Sequence, residues 1–282
     1  MNKLSKINTL LISVLLFLIN FFPTLSIYPQ VIESPLSPYQ IIVRDTEIGF
    51  FIGLGANYNS GEYSAECPDC IFNDVSKFGY SFGIKGNYQL SKHFFVGASL
   101  AYENLSVKGA FRRIESVPLD RIDGTKIYVP IEFRHSADFR IGTISLMPNI
   151  TYRIDRFLDF RLGFYSDFMF SANFKHDKEL LTKSVVLPDG EKVSVEVYQD
   201  KDGTVTLEDR PIPNLTNPIL GIYPQINFNF ELSSSTDMNF GFYYKIPLTN
   251  LTKDQSIRIF SWRIFLGFSF DLYDDTKEFG EF

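Results

Sequence analysis

From Glu47 to Leu272 the sequence alternates between apolar residues and polar or small ones, in runs that recur along the chain. A period of two puts successive side chains on opposite faces of an extended strand, and a helix cannot satisfy it. The last run is the cleanest. Phe260, Trp262, Ile264, Leu266, Phe268, Phe270 and Leu272 share one face, and Ser261, Arg263, Gly267, Ser269 and Asp271 share the other. The pattern recurs in 237–249 (Met238, Phe240, Phe242, Tyr244), 217–232 (Leu220, Ile222, Ile226, Phe228) and 157–175 (Leu158, Phe160, Leu162, Phe164). Nearer the N-terminus it is carried by Ile48 to Ala56, Phe78 to Tyr88 and Phe94 to Tyr102. Each run is long enough to cross a bilayer, which takes ~9–11 tilted residues.

A soluble sandwich alternates too, so the face opposite the aromatics matters. It carries Gly49, Gly53, Gly55, Gly79 and Gly83 beside long charged residues, as a narrow lumen requires. Composition agrees: the 282 residues include 29 Phe and 15 Tyr, yet mean hydropathy is −0.02. Lipid-facing and lumen-facing residues alternate in a membrane barrel and cancel in that average. The expected fold is therefore all-β, a transmembrane antiparallel up-and-down barrel of about eight strands.

The connections fall into two kinds. Ser91-Lys92, Asp155-Arg156 and 233–236 are tight, whereas 59–77, 108–138 and 176–215 are long. Short periplasmic turns and long outer loops are the rule for such barrels, which places both termini in the periplasm. One stretch complicates the count. Ile127, Val129, Ile131 and Phe133 alternate in one parity, and Ile144, Leu146 and Ile150 in the other. Residues 93–117 and 126–154 read as one tall hairpin closed near Asp123-Gly124, with a bulge at 135–140 absorbing the flip. Ten strands is the alternative.

Residues 1–26 differ from the rest: Lys3 and Lys6 precede an apolar run from Leu10 to Phe22, and Pro23-Thr24-Leu25-Ser26 follows. This reads as a cleaved signal peptide, since the run is too short to span ~30 Å of hydrocarbon comfortably as a helix. Residues 27–46, with Pro29, Pro35 and Pro38, read as a periplasmic lead segment, 47–273 as the barrel and 274–282 as a periplasmic tail. With a formal net charge of −6, the chain offers nothing for nucleic acid.

The segments Cys67-Pro68-Asp69-Cys70-Ile71-Phe72, Leu146-Met147-Pro148-Asn149-Ile150-Thr151-Tyr152 and Trp262 to Leu272 resemble OmpA-like small-barrel outer-membrane proteins, especially barrels of Bacteroidota and Chlorobi-like bacteria. The resemblance covers most of 47–273. It implies an outer-membrane address, with membrane lipids and lipopolysaccharide as surroundings and the barrel-assembly machinery as the partner during insertion. Many such proteins continue into a peptidoglycan-binding domain; this sequence ends ten residues after Leu272, so that role is not carried over.

Chemistry-bearing residues are few. Cys67 and Cys70, the two cysteines, share one outer loop and in an exported protein are a disulfide candidate. Asp200-Lys201-Asp202-Gly203 with Glu208 and Asp209 faintly matches a calcium loop, but Tyr198 occupies the first ligand position. A hairpin turning at 201–203 between Val193–Val197 and Val205–Leu207 covers the same residues. Three histidines exist, His93, His135 and His176. His135-Ser136 near Glu132, or His176 with Ser171 and Glu179, could make a lipid-modifying triad, yet neighbours on alternating faces rarely come within hydrogen-bond reach. Lys85, Glu103, Arg153, Asp159, Arg161, Asp167, Glu231, Lys245, Arg263 and Asp271 should face the lumen, pairing to plug it rather than lining a pore.

The expected function is thus a non-enzymatic outer-membrane barrel, structural or surface-interacting through its outer loops, without cofactor, metal or catalytic residue. A narrow, porin-like channel for small solutes or ions is the alternative, and a lipid A-modifying enzyme a more distant one. The ligand of the outer loops is not named by any residue pattern.

Overall fold

The alternation becomes strand. The computed structural model describes residues 46–64, 71–72, 75–91, 93–120, 126–187, 190, 192–195, 203–233 and 235–272. In chain order the strands are β1 (Thr46–Ser60), β2 (Tyr63–Ser64), β3 (Ile71–Phe72), β4 (Ser76–Gln89), β5 (Phe94–Asn104), β6 (Val107–Asp120) and β7 (Lys126–Arg153). They continue with β8 (Leu158–Leu180), β9 (Ser184–Val186), β10 (Lys192–Ser194), β11 (Thr204–Pro211), β12 (Ile219–Ser233), β13 (Thr236–Pro247) and β14 (Arg258–Leu272). Antiparallel pairs run β1–β4–β5–β7–β8–β12–β13–β14, and β14 returns to β1 from Thr46↔Leu272 to Ser60↔Arg258. The ring closes at eight strands. The sheet also holds β6 and β11, ten strands in all, but these two pair with the far halves of β7 and β8 and stand outside the ring.

One end of the barrel is closed by short links. Leu90 N–H and Ser91 N–H donate to the carbonyl of Phe94, and Asp155 Oδ1 accepts from the N–H groups of Phe157 and Leu158 at 2.8 Å each. Thr46 and Leu272 lie at this end. At the other end β7 (28 residues) and β8 (23 residues) run well past the wall, against 15 in β1.

The wall turns its apolar face outward. Ile52, Leu54, Phe78, Phe82, Ile84, Leu162 and Phe164 are all more than half exposed, whereas Asn57, Ser81, Thr151, Asp159 and Arg263, on the opposite face, are buried. Large aromatics ring both margins of this belt: Tyr58, Tyr80, Tyr102, Phe170 and Phe260 toward the far end, Phe50, Phe94, Phe157, Phe230 and Phe270 toward the short-link end. From Phe50 to Tyr58 a strand rising ~3.3 Å per residue and tilted as barrel strands are covers roughly 20 Å, close to the apolar band of a membrane barrel.

The parity flip expected near 135–140 has a different origin. On β7 the odd residues from Val129 to Thr151 are buried without interruption, so its geometry does not flip. What flips is the chemistry of each side. Beyond Gly142 the buried residues, His135 aside, are Val129, Ile131, Phe133, Ala137, Phe139 and Ile141. Below it they are, Met147 aside, Thr143, Ser145, Asn149 and Thr151, while Ile144, Leu146 and Ile150 face out. Water surrounds the far half and lipid the near half, so one strand obeys both rules. The register shift lies in the β7–β8 pairing between Gly142 and Thr143, where β8 carries the extra residue Phe170.

The tall hairpin is present: β5 and β6 pair in one continuous register with β7, from Phe94↔Tyr152 to Asp120↔Lys126, broken only at Leu105-Ser106. Its closing turn, Asp123-Gly124, lies outside the described residues. The expected outer loops at 108–138 and 176–215 are in large part strand. The hairpin expected to turn at 201–203 does not form as drawn: Lys192–Ser194 pairs with Ser184–Val186, and Thr204–Pro211 pairs with β8, because β8 continues far enough to offer it an edge. Together β6, β7, β8 and β11 make a head beyond the wall, and Tyr63 and Phe72 from the β2–β3 excursion pack onto its inner face against Phe111, Phe139 and Phe174.

Candidate functional site: the filled lumen and the head

Inside the wall, polar side chains from different strands meet in layers. Nearest the short-link end, Arg153 donates to Glu47 and Asp159 at 3.0 Å each and lies over the Phe95 ring. Arg161 donates to Thr151 and Asn87, and Lys85 to Asn239 at 2.5 Å. Above them Phe51, Met147, Tyr223, Tyr243 and Phe265 form an apolar waist. Gly163 and Gly221 make room for it, since a Cβ at either would come within 2.4 Å of the Tyr223 or Tyr165 ring.

Above the waist lies the most completely buried charge cluster. Lys245 Nζ donates to Glu103 at 2.6 Å, to Asp167 at 2.6 Å and to Ser145 at 3.1 Å, and Tyr243 donates to Glu103 at 2.8 Å. Arg263 lies beyond, donating to Asn57 and to the carbonyls of Ala56, Trp262 and Asn104. A Cβ at Gly79 would stand 2.6 Å from its guanidinium and 2.7 Å from the Asn57 amide, so a side chain there would displace this bonded pair. The void among Phe51, Lys85, Met147, Arg161 and Phe265 is about 10 Å³, room for one water.

Of the ten charges expected in the lumen, Lys85, Glu103, Asp159, Arg161, Asp167, Lys245 and Arg263 are buried and Arg153 is half-buried. Asp271 is half-buried at the end of β14, while Glu231 is exposed on β12. Glu231 departs from the expectation because β8 ends before it: the β12–β8 pairing stops at Phe228, and Glu231, paired only with Asp237 of β13, stands at the open rim. Glu47, which sequence reasoning missed, is buried and pairs with Arg153; its inward parity on β1 was the available signal.

The head gathers a second cluster. His135 on β7 and His176 on β8 face each other, Nδ1 to Nε2 at 3.1 Å, and His135 Nε2 meets Glu115 Oε1 at 3.0 Å. Lys178 donates to Glu115 at 2.5 Å and lies over the Phe133 ring. Phe111 stacks on His135, and Phe72 sets its edge on His176. Burial, together with the neighbouring His135, lowers the His176 pKa to about 4, and burial lowers that of His135 as well. Glu115 is held below the usual carboxylate range: burial opposes this, but the hydrogen bonds from Lys178 and His135 outweigh it.

The two triads considered and disfavoured from the sequence do not assemble. His135 points inward while Ser136 follows on the outer face, Glu132 lies beside Arg112, and Glu179 is paired with Arg134. His93 sits at the short-link end, bonded to the Arg153 carbonyl. Cys67, Cys70 and residues 198–202 lie outside the described residues. Among the described residues no group of three His, Cys, Asp or Glu side chains is arranged to hold a metal ion.

A closed eight-stranded ring with an apolar exterior, aromatic margins and a packed polar interior defines a small transmembrane β-barrel. Neither a protein-family model nor a curated protein matches the chain. Among solved structures it is similar to Ail, the attachment invasion locus protein of Yersinia pestis, at 12% identity and TM-score 0.32, covering 80% of this chain and 99% of that one. Neisserial surface protein A matches at 9% identity and TM-score 0.31, covering 79% and 97%. The outer membrane protease OmpT from Escherichia coli matches at 10% identity and TM-score 0.31, covering 81% and 97%. At these values the class rests on the chain's own geometry.

Proposed function

We propose that the protein is an exported outer-membrane barrel without enzymatic activity, which holds a β-structured head outside the membrane as a structural or surface-interacting element. The observation that carries this reading is the inversion on β7 at Gly142, where an interior that is polar within the wall becomes apolar in the head. Such an inversion suits a strand passing from lipid into water. The filled lumen supports a plug rather than a channel, and the inward burial of His135 and His176 speaks against their serving as exposed bases.

Trypsin added to intact cells should cut the head, while the wall survives as a fragment protected by the membrane. Cleavage only after cell lysis would overturn the orientation. In a planar bilayer the purified protein should give no steady openings; regular unitary conductance would favour the channel.

A further inference from the structure

The lowest row of outward-facing charges on the head stands just above the aromatic margin. Lys108, Asp138, Lys175 and Asp209 face one another across β6, β7, β8 and β11, with Arg140 one step nearer the membrane on β7. Asp138 is shared, accepting from Lys77 at 2.9 Å and Arg140 at 3.5 Å, and Lys175 is paired with Asp177 at 2.9 Å. Four cations, Lys77, Lys108, Arg140 and Lys175, thus stand at this level with three acids, Asp138, Asp177 and Asp209; Lys175 is matched by Asp177, while Lys77, Lys108 and Arg140 gather around the one carboxylate of Asp138. The side chains of Lys77 and Arg140 remain 38% and 50% exposed, so both can still take another anion.

Beside this row, on β1, β4, β13 and β14, the outer face of the wall is hollowed. Ala56 lies between Phe78 and Trp262 in the register, and the small residue leaves a depression lined by Ile52, Leu54, Phe78, Phe240, Trp262 and Ile264. It is an open trough of about 860 Å³. Ser76 and Lys77 close its outer end, and Ser76 pairs with Lys108.

We propose that this hollow and the cations beside it form one site for a phosphate-bearing lipid of the outer leaflet, an acyl chain lying against Ala56 and the phosphate on Lys77, Lys108 and Arg140. The continuity of an apolar trough with three cations that share one carboxylate, Asp138, at the height of the lipid headgroups, selects this occupant. The proposal rests on the membrane reading above.

The test is native mass spectrometry of the full chain in detergent with diphosphorylated lipid A as probe. It compares the wild type, a Lys77→Gln/Lys108→Gln/Arg140→Gln variant and Ala56→Trp, each first shown to be folded by its heat-modifiable gel mobility. That mobility also reports on the barrel independently of lipid capture. The wild type should retain lipid A, and each variant should retain it about tenfold or more weakly, the weight of a charge-assisted contact. Inorganic phosphate should not compete. Equal retention by all three proteins, loss in only one variant, or competition by inorganic phosphate would overturn the proposal.

Discussion

Among single residues the most consequential is Lys245, which holds two carboxylates, Glu103 and Asp167, in a buried layer. Removing one partner of a buried ion pair leaves an uncompensated charge and costs about 3–5 kcal/mol. Lys245→Met should therefore lower the urea midpoint of the barrel refolded into vesicles; an unchanged midpoint would mean that the cluster is solvated. In the head the relevant group is His176. Its folded pKa, about 4, lies below the ordinary imidazole value of 6.5, so the unfolded state binds the proton more readily. The contribution of His176 to stability is complete above pH 6.5 and is lost as pH falls from there toward 4. Protection factors in 174–179, taken relative to the intrinsic exchange rate at each pH, should fall over that window, and His176→Phe should flatten the dependence. The head charges around it, Glu115, Lys178, Asp177 and Arg113, set the background against which that profile is read.

Among the strands, β7 is one element under two solvents. Phe139→Ala, in the head, should cost about 3–5 kcal/mol of local packing and open the head to protease while the barrel keeps its heat-modifiable mobility. Leu146→Arg, on the lipid face, should do the reverse: it should impair insertion by about 2–4 kcal/mol near the midplane and leave head contacts alone. If both substitutions damaged head and barrel equally, the division at Gly142 would be wrong. The two arms of the tall hairpin are legible in the sequence because β5 and β6 follow one register along β7. The bulge expected at 135–140 is absent there, because the change of residue type along β7 reports its surroundings and not its geometry.

Across the molecule, the strands, their outward and inward faces, the short links and a ring of about eight could all be read from the amino-acid order. They follow from period-two patterning and turn residues, which are local. Most of the inward charges were legible for the same reason, since parity on a strand fixes the side. Which of those charges meet was settled by folding alone: Glu103 and Lys245 are 142 residues apart, and His135 and His176 are 41. Folding likewise places β6 and β11 outside the ring, pairs Val193 with β9 rather than β11, and makes the far half of β7 part of a second apolar core. One cause underlies each case. A strand's own residues specify its two faces, but what lies against each face, lipid, water or another strand, is set by chain closure and by where the membrane ends.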